Sequence, residues 1–192
     1  MTPSHKESNE QYQKLFRYMT ITKKSAAVAQ LEDAILLWFG EGNPISIHTL
    51  AVASQDCFHA MSKLKGEPSV FKTWLAAQEP AFRKKVTYAQ NFFKHGFKDL
   101  KRSCEFSPFY SEVMLFDAVV CCLDVFGKLS GTMLAFGARF LIEHRNAVRP
   151  KTLHAFTKGI DIDKFSEVGR ADFLRELTPL LKTGKFFGSL SE

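Results

Sequence analysis

Two short stretches of this sequence place polar, reactive side chains among strongly apolar ones. The first surrounds His48, and the second ends in Asn91, Lys94 and His95. Asn91 and His95 are four residues apart and therefore share one face of a helix, with Lys94 beside them. An amide, an ammonium and an imidazole on one surface can grip a phosphate or polarise a carbonyl group. We therefore treat these four residues as candidate binding residues.

A structural interpretation of both stretches stands beside the functional one. A histidine in the last turn of a helix is favoured by the helix dipole, which fits His95. A histidine near the start of a helix, such as His48, is commonly buried and bonded to a backbone carbonyl. A single imidazole indicates catalysis only when a partner group is close to it.

The other residues that could do chemistry follow no catalytic or metal-binding pattern. Two metal ligands on one helix face need a spacing that the other histidines lack, namely His5, His59, His144 and His154. The sequence contains no glycine-rich phosphate-binding loop and no G-x-S-x-G elbow. Asp161 and Asp163 are expected in a turn or a helix cap. We expect no metal and no cofactor, and these patterns assign no catalytic residue.

Basic residues are concentrated in one segment, residues 83–102. This segment contains seven lysines and arginines and one acidic residue, a balance equal to the formal net charge of +6 for all 192 residues. Lys98, Lys101 and Arg102 join Lys94 as candidate binding residues. Such a cluster can hold a nucleic acid or an acidic protein, and the alternative is a solvated face that prevents aggregation.

The periodicity of apolar residues predicts the helices that position these groups. The predicted helices span residues 22–39, 44–65, 69–78, 80–95, 108–126, 129–143 and 170–181, with a shorter piece at 152–157. Asn43 caps the second helix before Pro44, so the first two helices form a hairpin. The inward stripe of the second helix is predicted to be Ile47, Leu50, Ala51, Ser54, Phe58 and Met61. For the helix 108–126 it is predicted to be Val113, Phe116, Val120, Leu123 and Phe126.

These elements predict an all-α fold, a compact multi-helix bundle that forms a single domain over residues 1–192, because no segment shows strand alternation. Residues 1–20 are expected to be loosely attached, and residues 184–192 form a tail. No apolar run approaches the roughly 18–20 residues that cross a bilayer, and the start has no signal-peptide core. Four cysteines without a C-x-x-C pair fit a reducing compartment. We therefore expect a cytoplasmic protein without membrane contact, whose cysteines are small core residues.

Three motifs in this order resemble a group of uncharacterised bacterial all-helical proteins. They are the helix Ala27-Val28-Ala29-Gln30-Leu31-Glu32-Asp33-Ala34-Ile35 with Phe39, the HTLA motif from His48 to Ala51, and the NFFKH motif from Asn91 to His95. The resemblance covers roughly residues 25–126. It implies an all-helical bacterial protein and brings no biochemical activity with it.

The stretch from Gln90 to His95 is also similar, more distantly, to the motif of HEPN domains. These helical bundles often dimerise, and their active ribonuclease members use an arginine, a polar residue and a histidine about five positions after the arginine. Asn91 stands in the polar place and His95 in the histidine place, whereas Gln90 replaces the arginine. The resemblance implies a HEPN-like bundle and a possible homodimer. In a metal-independent ribonuclease, His95 would be the acid or base, Asn91 would orient it, and Lys94 would replace the arginine, although lysine lacks the fork geometry.

Three functional hypotheses follow from the sequence. The first is a non-catalytic binding module that engages an anionic partner, RNA or an acidic protein, through residues 83–102, with aromatic rings that stack on bases. The second is a HEPN-like ribonuclease with a degenerate motif. The third is a small-molecule or protein-interaction domain, with a cleft lined by phenylalanines and by Trp38 or Trp74.

Overall fold

A computed structural model describes residues 19–94, 103–147, 157 and 160–182. These residues form eight α-helices and a short 3-10 helix at Arg145–Ala147. The helices are α1 (Lys23–Phe39), α2 (Pro44–Leu64), α3 (Val70–Ala76), α4 (Pro80–Lys94), α5 (Pro108–Phe126), α6 (Gly131–Glu143), α7 (Ile162–Ser166) and α8 (Arg170–Lys182). The described part of the chain has no strand, which confirms the predicted all-α bundle. It also has no helix with the length and apolar character needed to cross a bilayer. The predicted piece at 152–157 lies outside the described residues except for residue 157, as do most of residues 1–20 and the tail.

Helices α1 and α2 form the predicted hairpin, and local side chains set its ends. Thr22 and Ser25 cap α1 reciprocally, since each side chain accepts a hydrogen bond from the backbone N–H of the other residue. Asn43 Oδ1 accepts from the backbone N–H groups of Ile45 and Ser46 at 2.9 and 3.3 Å, as a helix cap does. The connecting turn and both helix starts therefore follow the sequence prediction.

Helix α5 is the centre of the bundle. It packs most extensively against α2 and also contacts α1, α3 and α6. Its most buried apolar side chains are Met114, Leu115, Ala118, Val119, Cys121 and Cys122. The predicted inward residues, Val113, Phe116, Val120, Leu123 and Phe126, are only partly buried. The predicted buried face of α5 is therefore wrong. The reason is that α5 is apolar on nearly every side, and a helix surrounded by other helices shows no amphipathic stripe.

The same core extends into α6 and α8. Phe136 and Leu141 of α6 and Phe173 and Leu177 of α8 are completely buried with the α1 residues Leu31 and Ile35. Helix α5 ends at Gly127, whose φ of 68° is in the left-handed region that glycine adopts without strain. Ser130 then caps α6 by accepting a hydrogen bond from the backbone N–H of Met133.

Three of the four cysteines join the core to different extents. Cys121 and Cys122 are buried, and Cys57 packs partly buried against the same cluster. Burial, together with the charge of Asp117, raises the pKa of the Cys121 thiol to about 12. Burial and the charge of Glu32 raise the pKa of Cys122 to about 11. The two buried thiols are therefore protonated at neutral pH and act as small apolar side chains.

Candidate functional site

His48 lies in the interior of the bundle, between three parts of the chain. Its side chain is 1% exposed, and its Nδ1 forms a hydrogen bond of 3.0 Å with the Oγ atom of Ser111 on α5. Its ring meets the edges of Phe93 on α4 and of Phe106, at centroid distances of 5.7 and 4.9 Å. The structure therefore gives the buried His48 a serine as a hydrogen-bond partner. No ligand reaches this imidazole unless the surrounding side chains move.

Asn91 lies on α4, and its side chain is exposed. Phe93 of the same helix faces His48, but Asn91 does not. The two residues are two positions apart, which corresponds to about 200° around a helix. Lys94 ends α4. Its side chain, together with His95, Lys98, Lys101 and Arg102, lies outside the described residues. The role of this motif therefore stays a prediction, and the structure does not bring its described member Asn91 to His48.

The first two turns of α4 present three basic residues of the segment 83–102. Arg83, Lys84 and Lys85 are all exposed, and α4 contains no acidic residue. Arg83 is partly engaged, because its guanidinium donates a hydrogen bond of 3.2 Å to the backbone carbonyl of Ala76 at the end of α3. Among the ion pairs of the described residues, none uses Lys84 or Lys85. Both ammonium groups therefore remain available to an external anion.

Lys84 and Lys85 line a cleft of about 380 Å³ together with Tyr88. Glu105, from the segment that precedes α5, also lines this cleft. The Tyr88 ring is partly buried and lies 6.1 Å from the ring of Phe92, measured between centroids. The cleft therefore joins two cationic groups to the face or edge of an aromatic ring. We call these three residues, Lys84, Lys85 and Tyr88, the α4 cleft.

An exposed aromatic cluster borders the start of α4. Trp74 is 48% exposed and Phe82 is 38% exposed. The Trp74 ring stacks on Phe71 and meets the edge of Phe82, with a centroid distance of 5.8 Å in each case. Large apolar rings at the surface beside cationic groups are typical of surfaces that bind nucleic acids or proteins.

A network of charged side chains forms around Glu112 of α5. This buried carboxylate accepts hydrogen bonds from the indole of Trp38 at 3.0 Å and from Arg170 at 2.8 Å. It also lies 3.2 Å from Nε2 of His144. Arg170 bonds Glu143 as well, through Nε and Nη2, and its guanidinium covers the Trp38 ring at 3.8 Å. The network connects α1, α5 and α6 to the first residue of α8.

Glu143 is the second carboxylate of this network. Burial alone would raise its pKa, but hydrogen bonds from Arg170 and Arg139 outweigh that effect and hold the pKa below its usual value. Glu112, Glu143 and His144 are close enough together to be considered as metal ligands. However, Arg170 already bonds both carboxylates and supplies the positive charge that a metal ion would bring. We therefore assign a structural role to the network and no metal site.

A second buried carboxylate, Asp117, lies five residues farther along α5. It accepts hydrogen bonds from the amide of Gln55 at 2.8 Å, from the hydroxyl of Ser69 at 2.6 Å and from the backbone N–H of Phe71 at 3.2 Å. Ser69 in turn caps α3 through the backbone N–H of Lys72. Asp117 therefore fixes the start of α3 to the core.

The charged residues of these networks are not among the site residues predicted from the sequence. Glu112, Asp117 and Arg139 each lie in a helix whose other residues are mainly apolar. A charged residue surrounded by apolar ones in such a helix indicates a buried, paired group, and that signal could have identified all three. Their partners Arg170 and Gln55 gave no comparable signal.

Comparison with protein-family models, with curated proteins and with solved structures finds no match to this chain. The resemblances based on the HTLA and NFFKH motifs and on HEPN domains therefore stay predictions.

Proposed function

We propose that this protein is a non-catalytic binding module that holds an anionic partner, single-stranded RNA, on the α4 cleft and the adjoining basic segment. The observation that carries the proposal is the pair of exposed lysines, Lys84 and Lys85, which form no ion pair with a described carboxylate, beside the ring of Tyr88. Lysines attract phosphates without reading sequence, and an aromatic ring can stack on any base.

The aromatic component favours RNA over an acidic protein. An acidic protein would be held by cations alone, whereas the bases of RNA add to the binding free energy by stacking on Tyr88. The exposed Trp74 and Phe82 extend the available ring surface at the start of α4. Glu105 opposes an anion in the cleft, so a bound strand would place its phosphates toward Lys84 and Lys85.

A salt-titrated binding assay tests the proposal. Fluorescence anisotropy with a labelled oligouridine should show binding that weakens as salt is added. The variant Lys84→Glu/Lys85→Glu should bind more weakly and lower the slope of log K against log salt by about 1.4, since each lost phosphate contact contributes about 0.7 for single strands. The control Lys23→Glu/Lys63→Glu makes the same change in charge at exposed positions of α1 and α2 and should bind like the unmodified protein.

A second comparison separates RNA from an acidic protein. Tyr88→Ala should weaken oligouridine binding about fivefold or more, because stacking on one ring contributes roughly 1–3 kcal/mol. Tyr88→Phe keeps the ring and should bind normally. Binding to polyglutamate should be weaker and insensitive to Tyr88→Ala. Equal binding of the two polyanions, or no binding at low salt, would contradict the proposal.

The recovered RNA distinguishes the module from a ribonuclease. We expect the RNA to remain intact after incubation with the protein. Cleavage that disappears in a His95→Ala variant would favour the HEPN-like alternative and would contradict a non-catalytic role.

A further inference from the structure

A cleft of about 730 Å³ lies between the start of α1, the end of α5 and the start of α6. It shares no lining residue with the α4 cleft and is independent of the proposed RNA binding. Its volume falls within the range of about 300–1,000 Å³ typical of sites for small molecules. Its apolar lining includes Val28 of α1, Phe126 of α5, and Leu129 and Met133. Apolar atoms therefore form the larger part of the cleft surface, on which an apolar ligand can lie.

Two lysines border this apolar surface. Lys24 and Lys128 both line the cleft and are exposed, and neither takes part in an ion pair among the described residues. The Nζ atom of Lys24 lies 4.2 Å from the centroid of the Phe126 ring, so this cation is next to the apolar lining. Thr22 and Ser130, the capping residues of α1 and α6, also line the cleft, so the partial positive charges of two helix starts add to those of the lysines.

The cleft also contains one acidic side chain, which is distant from Lys24 along α1. Glu32 also lines the cleft, eight residues after Lys24, which corresponds to about 12 Å along the helix axis. The charge of Glu32 contributes to the raised pKa of Cys122, which lies one helical turn before Phe126 on α5. The cleft thus contains two cationic side chains, Lys24 and Lys128, an apolar lining, and an acidic residue farther along α1 than Lys24.

We propose that this cleft binds an aliphatic carboxylate, such as a medium-chain fatty acid. The carboxylate lies between Lys24 and Lys128, and the alkyl chain covers Val28, Phe126 and Met133. An extended chain of roughly ten carbons spans the distance of about 12 Å between Lys24 and Glu32. A longer chain would bring its apolar end against the Glu32 carboxylate and lose affinity.

Calorimetric titration with decanoate, used as a monomer, tests this site. We expect saturable binding of one decanoate per chain and weaker binding of decanol, which has the same tail without the charge. Lys24→Met and Lys128→Met keep an apolar side chain and remove the cation, and each should weaken decanoate binding about threefold to fivefold, as expected for exposed ion pairs. Lys23→Met is the matched control, because Lys23 is exposed beside Lys24 but does not line the cleft.

Two further variants test the location. Ala29→Trp fills the cleft from an exposed position of α1 and should abolish binding without changing the circular dichroism spectrum. Glu32→Gln removes a repulsive charge and should leave decanoate affinity equal or higher. The proposal is wrong if decanoate does not bind, if decanol binds as well as decanoate, or if correctly folded Ala29→Trp binds normally. Binding to anionic vesicles without binding to monomeric decanoate would indicate a membrane contact and would also overturn it.

Discussion

Asp117 shows how a single buried carboxylate can determine the position of a neighbouring segment. Its side chain is 5% exposed, and its three hydrogen-bond donors come from α2, from the capping residue of α3 and from the α3 backbone. Charged groups are buried at a large cost unless they are fully bonded. Asp117 meets this requirement with three donors, so its loss would leave Gln55, Ser69 and Phe71 without their acceptor.

We expect Asp117→Ala to lower the free energy of unfolding by about 3 kcal/mol, because several buried donors lose their acceptor. Hydrogen exchange should also become faster in α3, since Ser69 no longer bonds to α5. Asp124→Ala is the matched control on the same helix. Burial, together with the charges of Glu67 and Asp117, raises the pKa of Asp124. The fold therefore does not favour the charged form of this carboxylate, and its removal should change stability by less than about 0.5 kcal/mol. Urea denaturation of the two variants measures the difference, and equal stabilities would contradict the role assigned to Asp117.

At the scale of elements, α8 depends on its first residue for its attachment to the bundle. Arg170 bonds the carboxylates of Glu112 on α5 and Glu143 on α6 and covers the ring of Trp38 on α1. The apolar contacts of α8 continue this attachment, because Phe173 stacks on Phe39 at a centroid distance of 6.3 Å. The ion pairs thus set the direction in which α8 begins, and its apolar face completes the docking.

This arrangement predicts a pH-dependent stability. Because the folded protein holds the pKa of Glu143 below its usual value of 4.5, the ion pairs stabilise the fold above that pH and lose their effect as the pH falls through the lowered pKa. Glu143→Gln should therefore lower the free energy of unfolding by about 2 kcal/mol at pH 7. The difference from the unmodified protein should shrink as the pH falls below 4.5.

Glu176→Gln provides the control for this prediction. Glu176 pairs with Lys164 at 3.1 Å, but both side chains are more than 40% exposed. Exposed pairs contribute little, so this substitution should change stability by less than about 1 kcal/mol at any pH. Denaturation between pH 3 and 7 measures both variants, and a Glu143→Gln effect that stays constant over this range would contradict the argument.

At the scale of the whole molecule, one apolar core connects the helices that are far apart in the sequence. Residues of α1, α2, α5, α6 and α8 belong to the same buried cluster. Trp38 is at a junction of this core, because it contacts Phe136 of α6 at 4.9 Å, bonds Glu112 of α5 and lies under Arg170 of α8. Its fluorescence should therefore report on the packing of four helices at once.

A shared core predicts cooperative unfolding of the described helices. In a Trp74→Phe variant, Trp38 is the only tryptophan, and its fluorescence should change at the same urea concentration as the circular dichroism signal of the helices. A fluorescence transition that comes before the loss of helix would show that α8 or α6 separates first. That result would contradict the prediction of a single cooperative unit.

Much of the helix pattern could be predicted because its causes lie within a few residues of one another. The stripe of α1 from Ala27 to Phe39, the Asn43 cap and the Gly127 stop all act locally, and the structure has each of them in place. The buried face of α5 could not be predicted in the same way. An apolar helix in the centre of a bundle has no polar side, so only its neighbours decide which side chains become most buried.

The amino-acid sequence by itself determined that this protein is all-helical, where most of its helices start and end, and that its basic residues concentrate in residues 83–102. Only the tertiary structure decided that His48 is buried against Ser111, and that Asn91 faces solvent instead of joining it. It also decided the pairing of Gln55 with Asp117 and of Glu112 with Arg170, which are 62 and 58 residues apart. The physical reason is that helix periodicity and capping are local effects, whereas burial and the pairing of charges depend on which surfaces meet when the helices pack.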